Sequence, residues 1–142
     1  MLSLYRIRSA LFAATCVVGC AAPAFADSVA PHPIQQGDVS YITGGIGLTE
    51  RHALEAARRD YNLQVTNSEN NGHFTAGANL VIQDGSGQEV LRVNDAGPLL
   101  YVKLPAGQYT VHAIFEGVER EKSAKIGDKG TTTINLVWPT ED

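Results

Sequence analysis

The chain has little reactive chemistry to offer. Of its 142 residues only two are cysteine, one is methionine, one is tryptophan and four are histidine. Both thiols, Cys16 and Cys20, lie near the start. The chain beyond Cys20 can therefore form no disulfide, no thiolate metal site and no cysteine nucleophile. Positive charge is also scarce, with 11 Lys and Arg against 15 Asp and Glu and a net charge of −4. Two of those cations, Arg6 and Arg8, belong to the first ten residues, so the remainder is more acidic still. Nucleic acid is excluded as a partner, because holding a phosphate backbone takes a surplus of cations. Long apolar runs are missing too. "ALFAATCVVGC" is shorter than the roughly 20 residues that a membrane-spanning helix needs, and nothing later in the chain is longer.

That short run has a different use. Arg6 and Arg8 precede it, "APAFA" follows it and Asp27 comes next, which is the layout of an export signal over residues 1–26 cleaved between Ala26 and Asp27. "VVGC" also fits a second outcome, in which Cys20 is lipidated and becomes the first residue. Cleavage after Ala26 removes both cysteines and makes the protein periplasmic or secreted; lipidation of Cys20 holds it on a membrane surface. Residues 27–38, which include "DSVAPHPIQQG", contain two prolines and little that can be buried. They read as an extended or disordered tail.

Residues 39–60 form a lead-in segment and a helix. In "LTERHALEAARRDY" the apolar side chains of Leu48, Ala53, Leu54 and Ala57 recur at helical spacing, and Thr49 is placed to cap the start. The other face carries Glu50, Arg51, Glu55, Arg58 and Arg59, with Glu55 and Arg59 one turn apart.

Past Tyr61 the period changes from helical to alternating. "NLQVT", "ANLVIQ", "QEVLRV", "PLLYVKL", "YTVHAIF", "VEREKSAKI" and "TTTINLVW" are candidate strands, separated by "NSENNGH", "DGSG", "NDAG", "PAGQ", "EG" and "GDKG". Leu63 with Val65, Ala78 with Leu80 and Ile82, Tyr109 with Val111, Ala113 and Phe115, and Ile134 with Leu136 and Trp138 each share one face. Seven strands with turns roughly every ten residues describe an antiparallel β-sandwich over residues 61–138. A short tail, residues 139–142, follows it.

The stretch "LPAGQYTVH" joins two of these strands through Pro105, which presets φ, and Gly107, free to take positive φ. The pattern L-P-x-G-x-Y-x-V resembles carboxypeptidase regulatory-like and collagen-adhesin B-type domains, and "DGSGQEV" is similar to the D-x-x-G-x-x-V turn of such domains. The resemblance covers about residues 61 to 138 and implies a seven-stranded Greek-key sandwich of the transthyretin-like (prealbumin-like) class. "YITGGIGLTERHALEAARRDYNL" resembles the lead-in of small exported proteobacterial proteins that carry such a sandwich after a helix, and implies no activity.

Each chemistry that the resemblance brings with it lacks parts here. A lysine-to-asparagine crosslink needs a lysine on the first strand, where "NLQVT" has none, and an acid where Ala113 stands; Asn135 is then an outward-facing strand residue. Transthyretin-like hydrolases carry a C-terminal Tyr-Arg-Gly-Ser motif, whereas this chain ends "WPTED". "GGIGLTER" opens a helix as a phosphate loop does, but it has no P-loop lysine or Ser/Thr, and a glycine hinge accounts for it. An anion there would meet Arg51 and Arg58 or Arg59. His32, His52, His73 and His112 show no ligand spacing, and no serine sits in a G-x-S-x-G elbow. Glu119 and Glu121, alternating with Arg120 and Lys122, read as a solvated edge strand. No catalytic residue, metal or cofactor is assigned.

One set of side chains lacks a place. With Tyr109 and Val111 inward, Ile114 faces out, and Leu99 and Tyr101 face away from Leu100 and Val102. They form either the seat of the helix stripe or a contact surface for a partner. The ligand-binding candidates are therefore Leu99, Tyr101, Ile114, Arg51 and Arg58. Two functions fit: a non-enzymatic envelope module that binds an envelope protein, glycan or small ligand, and an oligomeric carrier or small hydrolase of transthyretin type.

Overall fold

The computed structural model describes residues 31–140. Cys20, Ala26, Asp27 and the other residues expected to form an export signal lie outside the described residues. Among the described residues nine strands form two sheets. One has five strands in the order β1 (Ile34–Gln36), β2 (Val39–Gly44), β6 (Leu99–Lys103), β3 (Leu63–Glu69) and β9 (Thr132–Trp138). The other has four, β5 (Glu89–Ala96), β4 (Ala78–Asp84), β7 (Gly107–Phe115) and β8 (Val118–Ile126).

The alternating positions meet between the sheets. Val39, Tyr41, Leu63, Val65, Leu100, Val102, Ile134, Leu136 and Trp138 pack from one side on Leu80, Ile82, Leu91, Val93, Tyr109, Val111 and Ala113 from the other. Burial of one face of each strand drives this layering, since every second side chain leaves water together. β6 is buried on both faces, as its unbroken apolar run requires: Leu100 and Val102 enter the main core, while Leu99 and Tyr101 face the helix.

The architecture departs from the sequence reading in two ways. The described residues form nine strands, not seven, because β1 and β2 arise within residues that read as tail and lead-in. Gly37, at φ 55°, turns β1 back on β2, and Pro31 and Pro33 lack the N–H groups that would extend β1. The sandwich is also not wholly antiparallel, since β9 runs parallel to β3, Leu63 opposite Thr132 and Glu69 opposite Trp138. Alternation shows which face is buried, but it carries no information about the direction of the neighbouring strand.

The helix α1 (Leu48–Ala57) lies on the outer face of the five-stranded sheet. Leu54 is buried there with Ile42, Tyr61, Leu99 and Tyr101, Ala57 packs at the margin, and the Tyr61 and Tyr101 rings stack with centroids 6.4 Å apart. The expected four-residue stripe is thus narrower, and Leu48 is 67% exposed. Thr49 is not the cap. Gly47 holds the N-cap position with no side-chain bond, and its carbonyl accepts from the Arg51 N–H at 2.9 Å. Glu55 and Arg59 form no ion pair, because the chain tightens into a 3-10 turn at Arg58–Asp60.

Close approach of backbones explains one glycine. A Cβ on Gly97 would lie 2.5 Å from the Gly44 carbonyl oxygen. Gly97 N–H donates to Thr43 Oγ1 at 3.0 Å, and Thr43 Oγ1 donates to the Leu99 carbonyl at 3.0 Å. The β2–β6 crossing therefore admits no side chain there.

Candidate functional site

The two turn motifs meet at one end of the sandwich. "LPAGQY" leaves β6 and enters β7, and "DGSG" joins β4 to β5; Asp84 and Tyr109 are ladder partners. The Tyr109 hydroxyl donates to the Pro105 carbonyl at 2.7 Å, four residues back. It thereby ties the turn to the strand it begins, as tyrosine corners do in other sandwiches. Gly107 does not sit in a left-handed turn; it is the first residue of β7, opposite Ile126. The Asp84 carboxylate accepts from the Ser86 N–H at 2.9 Å, the Ser86 hydroxyl at 2.6 Å and the Gln88 N–H at 3.0 Å. Those bonds hold the loop in shape and lower the Asp84 pKa, the Ser86 hydroxyl contributing most.

Between the motifs lies an open cleft of about 500 Å³. Val39, Leu91, Leu104 and Tyr109 form its apolar floor, and its rim carries Asp38, Asp84, Gln88 and Glu89. Gln36 bridges the two sheets beside it: its side-chain amide donates to the Arg92 carbonyl at 2.6 Å, and its amide oxygen accepts from the Arg92 N–H at 3.1 Å. Glu89 is held by Arg92 through two bonds of 2.8 and 2.7 Å, which lower its pKa. Asp84 and Glu89 are thus already engaged, while Asp38 has no ion pair among the described residues. The charge here repels anions, and the apolar floor with amide and carboxylate rim suits a neutral or cationic ligand.

The residues singled out in the sequence lie elsewhere. Leu99 and Tyr101 are buried under α1, which settles them as the helix seat. Ile114 does not join them. It stands 46% exposed on the outer face of the four-stranded sheet, because β7 belongs to the opposite layer. Arg51 is occupied: its Nε and Nη2 donate to the Gly45 carbonyl at 3.2 and 3.1 Å, and its guanidinium lies 4.4 Å from the Phe74 ring centroid. It stiffens the glycine hinge. Arg58 is exposed at the far end of α1. The cleft was missed because its walls come from segments distant in sequence, and the only signal was the pair of turn motifs.

Other polar groups are placed for structure. β8 is an edge strand with Glu119 and Glu121 outward, as expected. Arg120, however, turns inward and donates from Nε to the Val137 carbonyl at 3.1 Å, capping the free edge of β9. His112 sits on the outer sheet face between Glu121, 3.2 Å from Nδ1, and Gln83, 3.2 Å from Nε2. Among the described residues no group of His, Cys, Asp or Glu is arranged to hold a metal.

Burial raises the pKa of Tyr61, Tyr101 and Tyr109, and at Tyr109 the charge of Asp84 adds to it. The folded protein therefore keeps these protons longer than the unfolded chain, whose tyrosines titrate near pH 10. The stability they confer is full below about pH 10 and is lost as pH rises through the folded-state values. Urea midpoints should hold level into mildly alkaline buffer and fall above about pH 10. Tyr109→Phe should lower stability by about 1–3 kcal/mol at neutral pH, by leaving the Pro105 carbonyl without its donor, and should make the alkaline fall shallower.

The fold and the cleft define a class: a two-layer, mainly β sandwich with one docked helix and a polar-rimmed cleft at one end. No protein-family model matches this chain, and no curated protein does. Among solved structures it is similar to the major pilin subunit BcpA of Bacillus cereus, with 19% identity and a TM-score of 0.35 over 54% of this chain and 27% of that one. A point variant of the same pilin gives 18% identity, a TM-score of 0.33 and the same coverage.

Proposed function

We propose that the protein is an exported, non-enzymatic module of the cell envelope. It belongs with the carboxypeptidase regulatory-like sandwiches of the transthyretin-like, Greek-key class, and it binds a neutral or cationic envelope protein, glycan or small ligand in the cleft between "LPAGQY" and "DGSGQEV". The observation that carries this reading is the convergence of both motifs on that cleft, with Asp84 and Tyr109 shaping it from adjoining strands. Ser86 donates its hydroxyl to Asp84 within the "DGSG" turn, and His112 lies on an outer sheet face. The basic start of the chain and "APAFA" before Asp27 support export.

Gln88 is exposed, and its backbone alone serves the turn. Gln88→Trp should therefore fill the cleft and leave the fold intact. Ligands retained by the native protein in envelope pull-downs and on glycan arrays should bind the variant about tenfold or more weakly, which corresponds to about 1.4 kcal/mol. Equal retention by both proteins, or turnover of a hydrolase substrate by the native protein, would sink the reading.

A further inference from the structure

The opposite end of the sandwich carries a second surface. Ile46 and Leu48 flank Gly47 at 73% and 67% exposure, and Phe74 is 43% exposed beneath the Arg51 guanidinium. Arg51 also reaches back to the Gly45 carbonyl, the residue before Ile46. The three apolar side chains thus gather around a single cation, outside the core clusters. Isolated exposed apolar residues are ordinary, but a contiguous patch whose members stand this far into water marks a contact surface.

The topology says what that surface meets. β1 runs antiparallel to β2, with Ile34 opposite Tyr41 and Gln36 opposite Val39. The chain before Ile34 therefore approaches from the Gly44 end, beside Ile46. Thirty residues precede the described part, and they include the apolar run and Cys20. A tether at a lipidated Cys20 would join the described part from the patch end, while the cleft opens at the Val39, Leu104 and Tyr109 end. We propose that Ile46, Leu48 and Phe74, with Arg51 among them, form a membrane-contact surface that seats this end of the sandwich on a lipid bilayer and points the cleft away from it. Apolar side chains ringed around a cation match the acyl boundary and the anionic headgroups above it. One lipid chain alone gives only marginal, reversible attachment, and a second contact of this kind makes it stable. The inference rests on the outcome of the export reading in which Cys20 is lipidated, since cleavage after Ala26 leaves no tether.

The test expresses the full chain, measures the mass of the exported product and follows its flotation with phosphatidylethanolamine–phosphatidylglycerol vesicles. The native protein should float. Ile46→Asp combined with Leu48→Asp should reduce the bound fraction about tenfold, and Ile114→Asp on the opposite sheet should float as the native protein does. Aspartate is favourable at a helix start, and if circular dichroism nonetheless shows lost structure, the Ile46→Ser and Leu48→Ser pair gives the same readout. Four results would each overturn the proposal: an exported product whose mass starts at Asp27, equal flotation of native and double variant, no flotation of the native protein, or a native dimer in light scattering that the double variant dissolves. A product that keeps residues 1–26 inside the cell defeats the export reading separately, whatever the vesicles show.

Discussion

Trp138→Ala lowers the stability of the sandwich by about 3–5 kcal/mol. The indole is fully buried at the end of β9 and touches both layers. The Phe115 ring of the four-stranded sheet lies 5.6 Å away between centroids at 55°, and the Arg120 guanidinium covers it 5.7 Å from the ring centre. Its Nε1 donates to Asn67 Oδ1 at 3.4 Å. Truncation opens a cavity in a close-packed contact between sheets and strips Asn67 of a donor. In a domain of this size the loss lowers the melting temperature by on the order of 15 °C. Urea unfolding followed by far-ultraviolet circular dichroism measures it, since the variant loses its one tryptophan chromophore. A cost below about 1 kcal/mol would place the ring outside the inter-sheet contact.

Trp138 also shows what the sequence made legible. It closes an alternation, Ile134, Leu136, Trp138, that places all three side chains in the core; Leu63 with Val65, Leu80 with Ile82 and Tyr109 with Val111 do the same. Period-2 burial is a local property, and local properties can be read from one strand at a time. Pairing is not local. The parallel match of β9 to β3 spans some 70 positions, and neither segment carries a mark of it. β1 escapes for another reason, being three residues long and lying among prolines, where its partner β2 and not its own pattern makes it a strand. α1 was legible as a helix, yet only Leu54 could be a deep anchor, because one helix on a flat sheet touches it along a line narrower than a heptad stripe. The cleft was half legible: "LPAGQY" and "DGSGQEV" stood out as turns, but their meeting at one end depends on β4 pairing with β7. Asn67 reads as loop in the sequence because a polar residue ends the inward series Leu63, Val65.

That residue carries the other large effect. Asn67 has no exposed surface, and its side chain continues the ladder where β3 parts from β6: Nδ2 donates to the Gly97 carbonyl at 3.1 Å, and Oδ1 accepts from Trp138. Its own N–H donates to the Pro98 carbonyl at 2.8 Å, and its carbonyl accepts from Thr75 at 3.1 Å. Asn67→Asp keeps this shape and changes the chemistry. Near neutral pH a buried carboxylate has no cation beside it and faces the Gly97 carbonyl with an oxygen in place of a donor, so the variant should be about 3–5 kcal/mol less stable than the native protein. Burial raises the folded-state pKa of the new acid above the unfolded value of about 3.9. Protonated, it regains a donor for Gly97. The variant's deficit should therefore be smallest below about pH 4 and grow as pH rises through the folded-state pKa, at about 1.4 kcal/mol per unit until that value is passed. Urea midpoints of native and variant compared from acid to neutral pH read the slope directly. A pH-independent deficit would mean that the side chain at 67 reaches water and that Asn67 does not close the core at this end.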